Sequence, residues 1–225
     1  FDFPTDPRIG EQWALRSDNN ADINAEEGWN EYLSDALGGN SDGPSVIVAV
    51  LDTGVDYTHP DLADVMWVNT NEIPDNGIDD DENGVVDDVF GANFINGNGN
   101  PMDVNGHGSH CAGIIAAKEN NGEGVAGVAS FTQGKVKIMA VKVLSDSGGG
   151  TWSGVLEGLD YAIANGAKIS SNSYGGYVST SNANAFGTVL SENLDHIYIA
   201  AAGNSNQLID GINGRSSMCV IDEPN

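Results

Sequence analysis

Cations are scarce in this chain. Eight Lys plus Arg stand against 33 Asp plus Glu in 225 residues, a formal net charge of −25, and such a surface repels nucleic acid and anionic membranes while drawing cations, calcium first among them. Cysteine is scarcer still. Cys111 lies inside an apolar helical pattern and Cys219 in an irregular tail, so the two make no disulfide framework, and Cys111 is expected to serve packing. No apolar run approaches the ~18 residues needed to span a bilayer. A starting methionine is also lacking: Phe1 opens the chain, as expected for a processed or excised segment from which any signal or propeptide has been removed. What is plentiful is glycine, 30 residues, beside 40% hydrophobic content, enough for one domain with a core of its own.

The glycines gather where chemistry is expected. The string NGHGSHCAG, residues 105–113, turns from a Gly-rich loop into a helix over 109–118 and sets His107 where they meet; Gly106 and Gly108 let backbone and substrate approach it closely. His110, three residues on, is expected to be a buried structural histidine, with Cys111 pointing off the His107 face. Upstream, residues 45–51 form a short, β-branched run of the kind found in strands covered on both faces. That run ends at Asp52-Thr53-Gly54, and a carboxylate at the C-terminal end of such a strand lies where ligands bind in open α/β sheets.

Further strands are expected over 137–144, within 167–176 ahead of Ser173-Tyr174-Gly175-Gly176, and over 197–202, which leads to Gly203-Asn204. Helices are expected over 153–165 and 183–194, and an amphipathic one over 25–37 carries Trp29, Tyr32 and Leu33 at helical spacing. Residues 91–100, rich in Gly and Asn, read as a loop. This alternation predicts an α/β three-layer sandwich, a mostly parallel sheet with helices on both faces and right-handed crossovers. Residues 1–43 form an N-terminal arm with its surface helix, 44–204 the main domain and 205–225 a divergent tail.

Residues 77–90 are the most acidic stretch. With Asp79 as position one, Asp81 and Asn83 fall at three and five, Gly84 at six and the carbonyl of Val85 at seven, the first half of an EF-hand-type loop that wraps a hard cation. Position twelve is Phe90, so the closing carboxylate is Asp87 or Asp88. Five Asp within ten residues repel one another unless a cation or much water lies among them.

Three stretches together carry a family resemblance. Asp52-Thr53-Gly54 followed by Val55-Asp56-Tyr57-Thr58-His59-Pro60-Asp61-Leu62, the His107 string, and Ala200-Ala201-Ala202-Gly203-Asn204 resemble the subtilisin-like serine proteases, the subtilases, over most of residues 5–204. The resemblance implies Asp52 as the acid that orients His107, His107 as general base and Asn204 as a side-chain donor to the oxyanion, in the Asp, His, Ser chain order of subtilisin. In subtilisin, loss of such a donor costs about 3–4 kcal/mol. It also implies that Leu144, Gly148, Gly149 and Gly150 form an edge on which an extended polypeptide substrate adds as a strand. Ser173, Tyr174 and Gly175 would form the opposite wall, Tyr174 standing where relatives often carry an aliphatic residue.

Thr5-Asp6-Pro7 and Glu11-Gln12-Trp13 resemble the arm that precedes many subtilase domains, and residues 120–129 resemble the family's calcium loop. By that likeness Asp6, Asp61, the Asn121 side chain and the carbonyls of Glu123 and Val125 would hold one calcium ion and tie the arm to the core. Some subtilases carry an acidic insertion similar to 77–90. The expected protein is thus a secreted or extracytoplasmic, calcium-stabilised monomer acting on polypeptides, with a propeptide or protein inhibitor as further partner.

One part is lacking. Subtilases carry the nucleophile in a Gly-Thr-Ser-Met-Ala type motif, and no such string occurs here; the nearest, Gly214-Arg215-Ser216-Ser217-Met218, follows Asn204 too closely for the remaining strands to intervene. The expectation is therefore an incomplete domain, its C-terminal part missing, with apolar sheet faces left uncovered. Two rivals stand beside it. One is a non-catalytic pseudoprotease that binds calcium and peptides, and the other a metallohydrolase using His107 and His110.

Overall fold

The structure, a computed structural model, describes residues 2–19, 21–37, 44–132 and 134–204. Five parallel strands form one sheet: β1 (Val46–Asp52), β2 (Gly91–Asn93), β3 (Val136–Lys142), β4 (Ile169–Asn172) and β5 (Ile197–Ala200), in the order β2-β3-β1-β4-β5. Among the described residues four α-helices accompany them: α1 (Ala25–Leu37), ahead of the sheet, then α2 (His107–Ala116), α3 (Trp152–Ala164) and α4 (Thr180–Glu192) between successive strands.

The near-continuous apolar runs of β1 and β3 follow from burial on both faces. Ala49 and Leu51 pack with Met139, Val141 and Val143 beneath Leu159 and Ala162 of α3 and Phe186 of α4. Val48, Val50, Ile138 and Ala140 pack on the other side with Ala112 and Ala116 of α2. Alternate residues of a strand face opposite ways, so these two clusters put helices on both sides and give the three layers expected. Gly158 brings α3 close to the sheet, since a Cβ there would lie 2.5 Å from Val143 Cγ1. Thr151 and Ser179 cap α3 and α4 by accepting from the Gly154 and Asn182 N–H groups.

β1 is the central strand, and the order reverses about it: β3 and β2 lie to one side, β4 and β5 to the other. Its carboxyl end is therefore the crevice in which open parallel sheets bind ligands. Asp52 ends that strand.

The structure departs from the expectations in several places. Residues 91–100 are not all loop, because Gly91–Asn93 pair with Ala140–Lys142. Gly91 permits this approach: at φ +128°, its missing Cβ would otherwise lie 1.9 Å from the Ala140 carbonyl oxygen. The helix expected from residue 109 begins at His107. In the arm, Trp29 is buried against Phe131, ring centres 4.3 Å apart, whereas Tyr32 is exposed. At the other edge of the described sheet, Ile197 and Ile199 are each more than half exposed. Among the described residues no helix is long and apolar enough to cross a membrane.

Candidate active site

Asp52 is fully buried, and its Oδ1 accepts the Thr53 N–H at 2.7 Å and meets His107 Nδ1 at 2.7 Å. A carboxylate partner fixes the imidazole proton on Nδ1 and leaves Nε2 as the basic nitrogen. The His107 side chain is half exposed, so the base is reachable while the acid behind it is sheltered. Asp52 Oδ2 is buried without a hydrogen-bond donor among the described residues.

The pair is held from below by a second acid. Asp103 Oδ2 accepts the N–H and hydroxyl of Ser109 at 2.9 and 2.7 Å, and its Oδ1 accepts from Asn105 N, Gly106 N and the Thr53 hydroxyl. These bonds satisfy amide donors left open at a helix start, which is why α2 begins two residues ahead of the sequence expectation. The Thr53 hydroxyl in turn accepts the Gly108 N–H at 3.0 Å, joining the end of β1 to the start of α2. Burial raises the Asp103 pKa, but the bonds from Gly106, Ser109 and Thr53 outweigh it and hold the carboxyl below its usual range.

Asp103→Ala is expected to destabilise the fold by about 1–3 kcal/mol at pH 7. Because the folded value is depressed, that contribution is present above the ordinary Asp value near 3.9 and is lost as pH falls through the lower folded value. Urea midpoints of variant and wild type should therefore draw together as pH falls below about 3.9.

Cys111 packs half-buried against the core cluster of α2 and β1, as expected, but its place relative to His107 and the exposure of His110 differ from expectation. His110 is exposed, and the Cys111 sulfur lies within 4.8 Å of ligand atoms of both Asp52 and His107. Cys111 is one helical turn beyond His107, on the same face. Burial pushes its thiol pKa up, with a hydrogen bond from Ser173 offsetting only part. Ser173 therefore lies beside Cys111 of α2.

Leu144 is buried, and its N–H donates to the Asp52 carbonyl at 3.0 Å. The edge then folds into a turn, Ser145 N donating to Gly149 O and Gly148 N to Ser145 O, both at 2.8 Å. Gly150 fits closely there, since a Cβ would lie 2.4 Å from Val143 O. Tyr174 turns inward: its hydroxyl donates to Asn172 Oδ1 at 2.7 Å and its ring packs near Trp152, 6.3 Å between centres. Gly175 follows it in the chain. Asn204 stands exposed four residues past the carboxyl end of β5, after Gly203 at φ +91°. Ser217 lies outside the described residues.

Two acidic clusters stand apart from this pair. Glu72, Asp81 and Asp88 place carboxylate oxygens within 4.8 Å of one another, a group that could hold a metal ion. Asp88, not Asp87, is the member of the expected pair that joins it; Asp87 instead accepts from Asn76 N and Gly77 N. Asp88 is buried, accepting from Asn69, Asn83 and the Tyr161 hydroxyl, and burial first, then Asp81, raises its pKa against those bonds. Asp79 accepts the Asn83 and Gly84 N–H groups, and Asn83 Oδ1 accepts Val85 N, as in a tight oxygen-lined loop. Glu72 was not foreseen from sequence. It enters through tertiary contact, accepting N–H groups of Asp80, Asp81 and Asp87.

The second cluster is the expected junction of arm and core. Buried Asp6 accepts from Asn120 N and Asn121 N, and buried Asp61 from Asn121 Nδ2 and Val125 N, at 2.8–3.2 Å. Glu123 is exposed and donates its N–H to Asn121 Oδ1. The arm is further tied by Gln12, whose amide exchanges two hydrogen bonds with Ala126 at 2.8 and 2.9 Å.

The chain is similar to known proteins. The subtilase-family model matches residues 43–220, running past Asn204, where the likeness was expected to end, and leaving out the arm before residue 43. Subtilisin-like protease 1 of Plasmodium vivax is 44% identical over 128 residues, 56% of this chain and 20% of that protein. Thermitase of Thermoactinomyces vulgaris is 39% identical over 165 residues, 73% of this chain and 50% of that protein. A solved protease structure from Pseudoalteromonas arctica PAMC 21717 superposes with a TM-score of 0.61 at 30% identity, covering 91% of this chain and 60% of that one. The chain thus spans half or less of the length of these two curated relatives. A buried acid at the switch point of a parallel sheet, a histidine opening the next helix and a family match over most of the length lead to one conclusion: the chain belongs to the subtilase family of serine proteases.

Proposed function

We propose that this chain carries the acid–base part of a secreted, calcium-stabilised serine endopeptidase. The observation that carries the reading is the 2.7 Å contact between buried Asp52 and half-exposed His107. In this mechanism His107 Nε2 takes the proton of an attacking serine hydroxyl as its oxygen bonds to the scissile carbonyl carbon. The same proton then passes to the leaving amine nitrogen as the C–N bond breaks. Asp52 holds the ring and stabilises the imidazolium. Asn204 donates to the oxyanion, and the edge at 145–150 with the wall at 173–175 holds an extended polypeptide. No Gly-Thr-Ser-Met-Ala string occurs within the 225 residues, so the nucleophile of this reading lies outside them.

Calcium fits the donor chemistry, all hard oxygens on a chain of net charge −25. Glu72, Asp81 and Asp88, with Asp79, Asn83 and the Val85 carbonyl beside them, would hold one ion. Asp6, Asp61, Asn121 and the carbonyls of Glu123 and Val125 would hold another. The role of such ions is structural, screening carboxylates that otherwise repel.

A second reading, a peptide-binding pseudoprotease, is favoured by the same absent string. Reading transcript and genomic DNA past the codon for Asn225 separates the two. A frame that continues to a Gly-Thr-Ser motif, with a product that cleaves casein and loses this in His107→Ala, supports the protease. A stop in both nucleic acids, with peptide bound and left intact, moves the assignment to the pseudoprotease.

A further inference from the structure

Lys142 is the only buried cationic side chain among the described residues, 4% exposed at the carboxyl end of β3 and in register with Asp52. An ammonium loses its hydration on burial and needs fixed acceptors in exchange. Here Nζ donates to the Thr53 carbonyl and to Asp146 Oδ1, the latter at 2.8 Å. Thr53 follows the orienting acid, and Asp146 lies in the turn of the substrate edge. The Asp146 carbonyl accepts Asn105 Nδ2 at 2.8 Å, and Asn105 Oδ1 accepts the His107 N–H at 3.2 Å.

One buried charge thus joins the Asp52–Thr53 turn, the 145–150 edge and the loop that leads into His107. Packing alone asks for nothing of the kind: an unbranched apolar side chain would fill the same space without desolvating a charge. We propose that Lys142 is a positioning residue that sets the Asp52–His107 contact against the substrate edge, acting through Thr53 on one side and Asp146 and Asn105 on the other. It touches neither the reacting atoms nor the imidazole. The inference rests on reading Asp52 and His107 as the catalytic acid–base pair.

The test is the low-field proton NMR signal of His107 Nδ1–H in the 225-residue chain, assigned by its loss in His107→Gln. Asp146→Asn is the first variant, because the Asp146 side chain is 59% exposed and its replacement leaves the core intact. It is expected to move the signal upfield and to speed its exchange with water several-fold, with the amide spectrum otherwise preserved. Lys142→Met, which retains the stem, should abolish the signal while circular dichroism stays native. A signal unchanged in position and exchange in folded Asp146→Asn overturns the inference, whatever Lys142→Met does to folding. A wild-type chain lacking any His107-dependent low-field signal would instead overturn the acid–base reading itself.

Discussion

Adding calcium to the metal-stripped chain is expected to raise its melting temperature by about 8–16 °C per site filled. A ligand at 1,000 times its Kd that binds only the folded state contributes about 4 kcal/mol, and near this chain length each kcal/mol shifts melting by about 2–4 °C. The structure supports a large effect, because Glu72, Asp81 and Asp88 crowd their oxygens within 4.8 Å of one another. The sign of the pH dependence follows from Asp88, whose pKa burial raises. In the metal-free chain its contribution favours folding below the ordinary Asp value near 3.9 and is lost as pH rises through the raised folded value. Calcium, which needs the ionised carboxylate, reverses that loss. The calcium-induced shift should therefore be large at pH 7 and shrink toward pH 4. Asp88→Ala and Asp61→Ala separate the two clusters, each removing its own share. A shift below about 2 °C at pH 7 in 10 mM calcium would set both sites aside.

Alanine at two glycines of one helix should act with opposite sign. At Gly108 an added Cβ would lie 2.0 Å from the Gly54 carbonyl oxygen and 3.1 Å from Asp52 Cβ. Those neighbours are backbone and the first side-chain atom of a buried strand end, so none can swing aside, and α2 must move. Helix propensity favours Ala over Gly by about 1 kcal/mol, and the clash, overpacking of a kind that costs about 1–3 kcal/mol or more, outweighs it. A net loss of about 2 kcal/mol or more is expected, with the Asp52–His107 contact broken. At Gly113, in the same helix, no atom lies within 4 Å of the added Cβ, and Gly113→Ala should gain about 0.5–1 kcal/mol. Urea denaturation of the two variants reads both signs. Equal effects would mean that α2 does not seat on β1 as described.

What could be read from sequence was whatever burial writes into a local pattern. β1 and β3 are apolar because both faces are covered, and α1 alternates because one face is. The triplet 91–93 carries Gly and Asn at its ends, so nothing local marks it as a strand; only the close approach to Ala140 makes it one. The start of α2 was misplaced because its amides are satisfied by Asp103, outside the helical pattern. Cys111 shares the His107 face because the two are four residues apart on one helix, a spacing legible in the sequence. Glu72 and Lys142 were not legible at all. Their partners, backbone N–H groups for Glu72 and the Thr53 carbonyl with the Asp146 carboxylate for Lys142, lie in other segments, and a lone Glu or a Lys ending an apolar run has no periodicity that reports such contacts.

In the function proposed, Asp52 and His107 serve a serine that these 225 residues do not contain. Treating the folded chain with a fluorophosphonate probe and mapping modified peptides by mass spectrometry is the direct test. No labelled serine is expected, with Ser217 unmodified. Stoichiometric labelling of Ser217 or any other serine in this chain, abolished by His107→Ala, would contradict it.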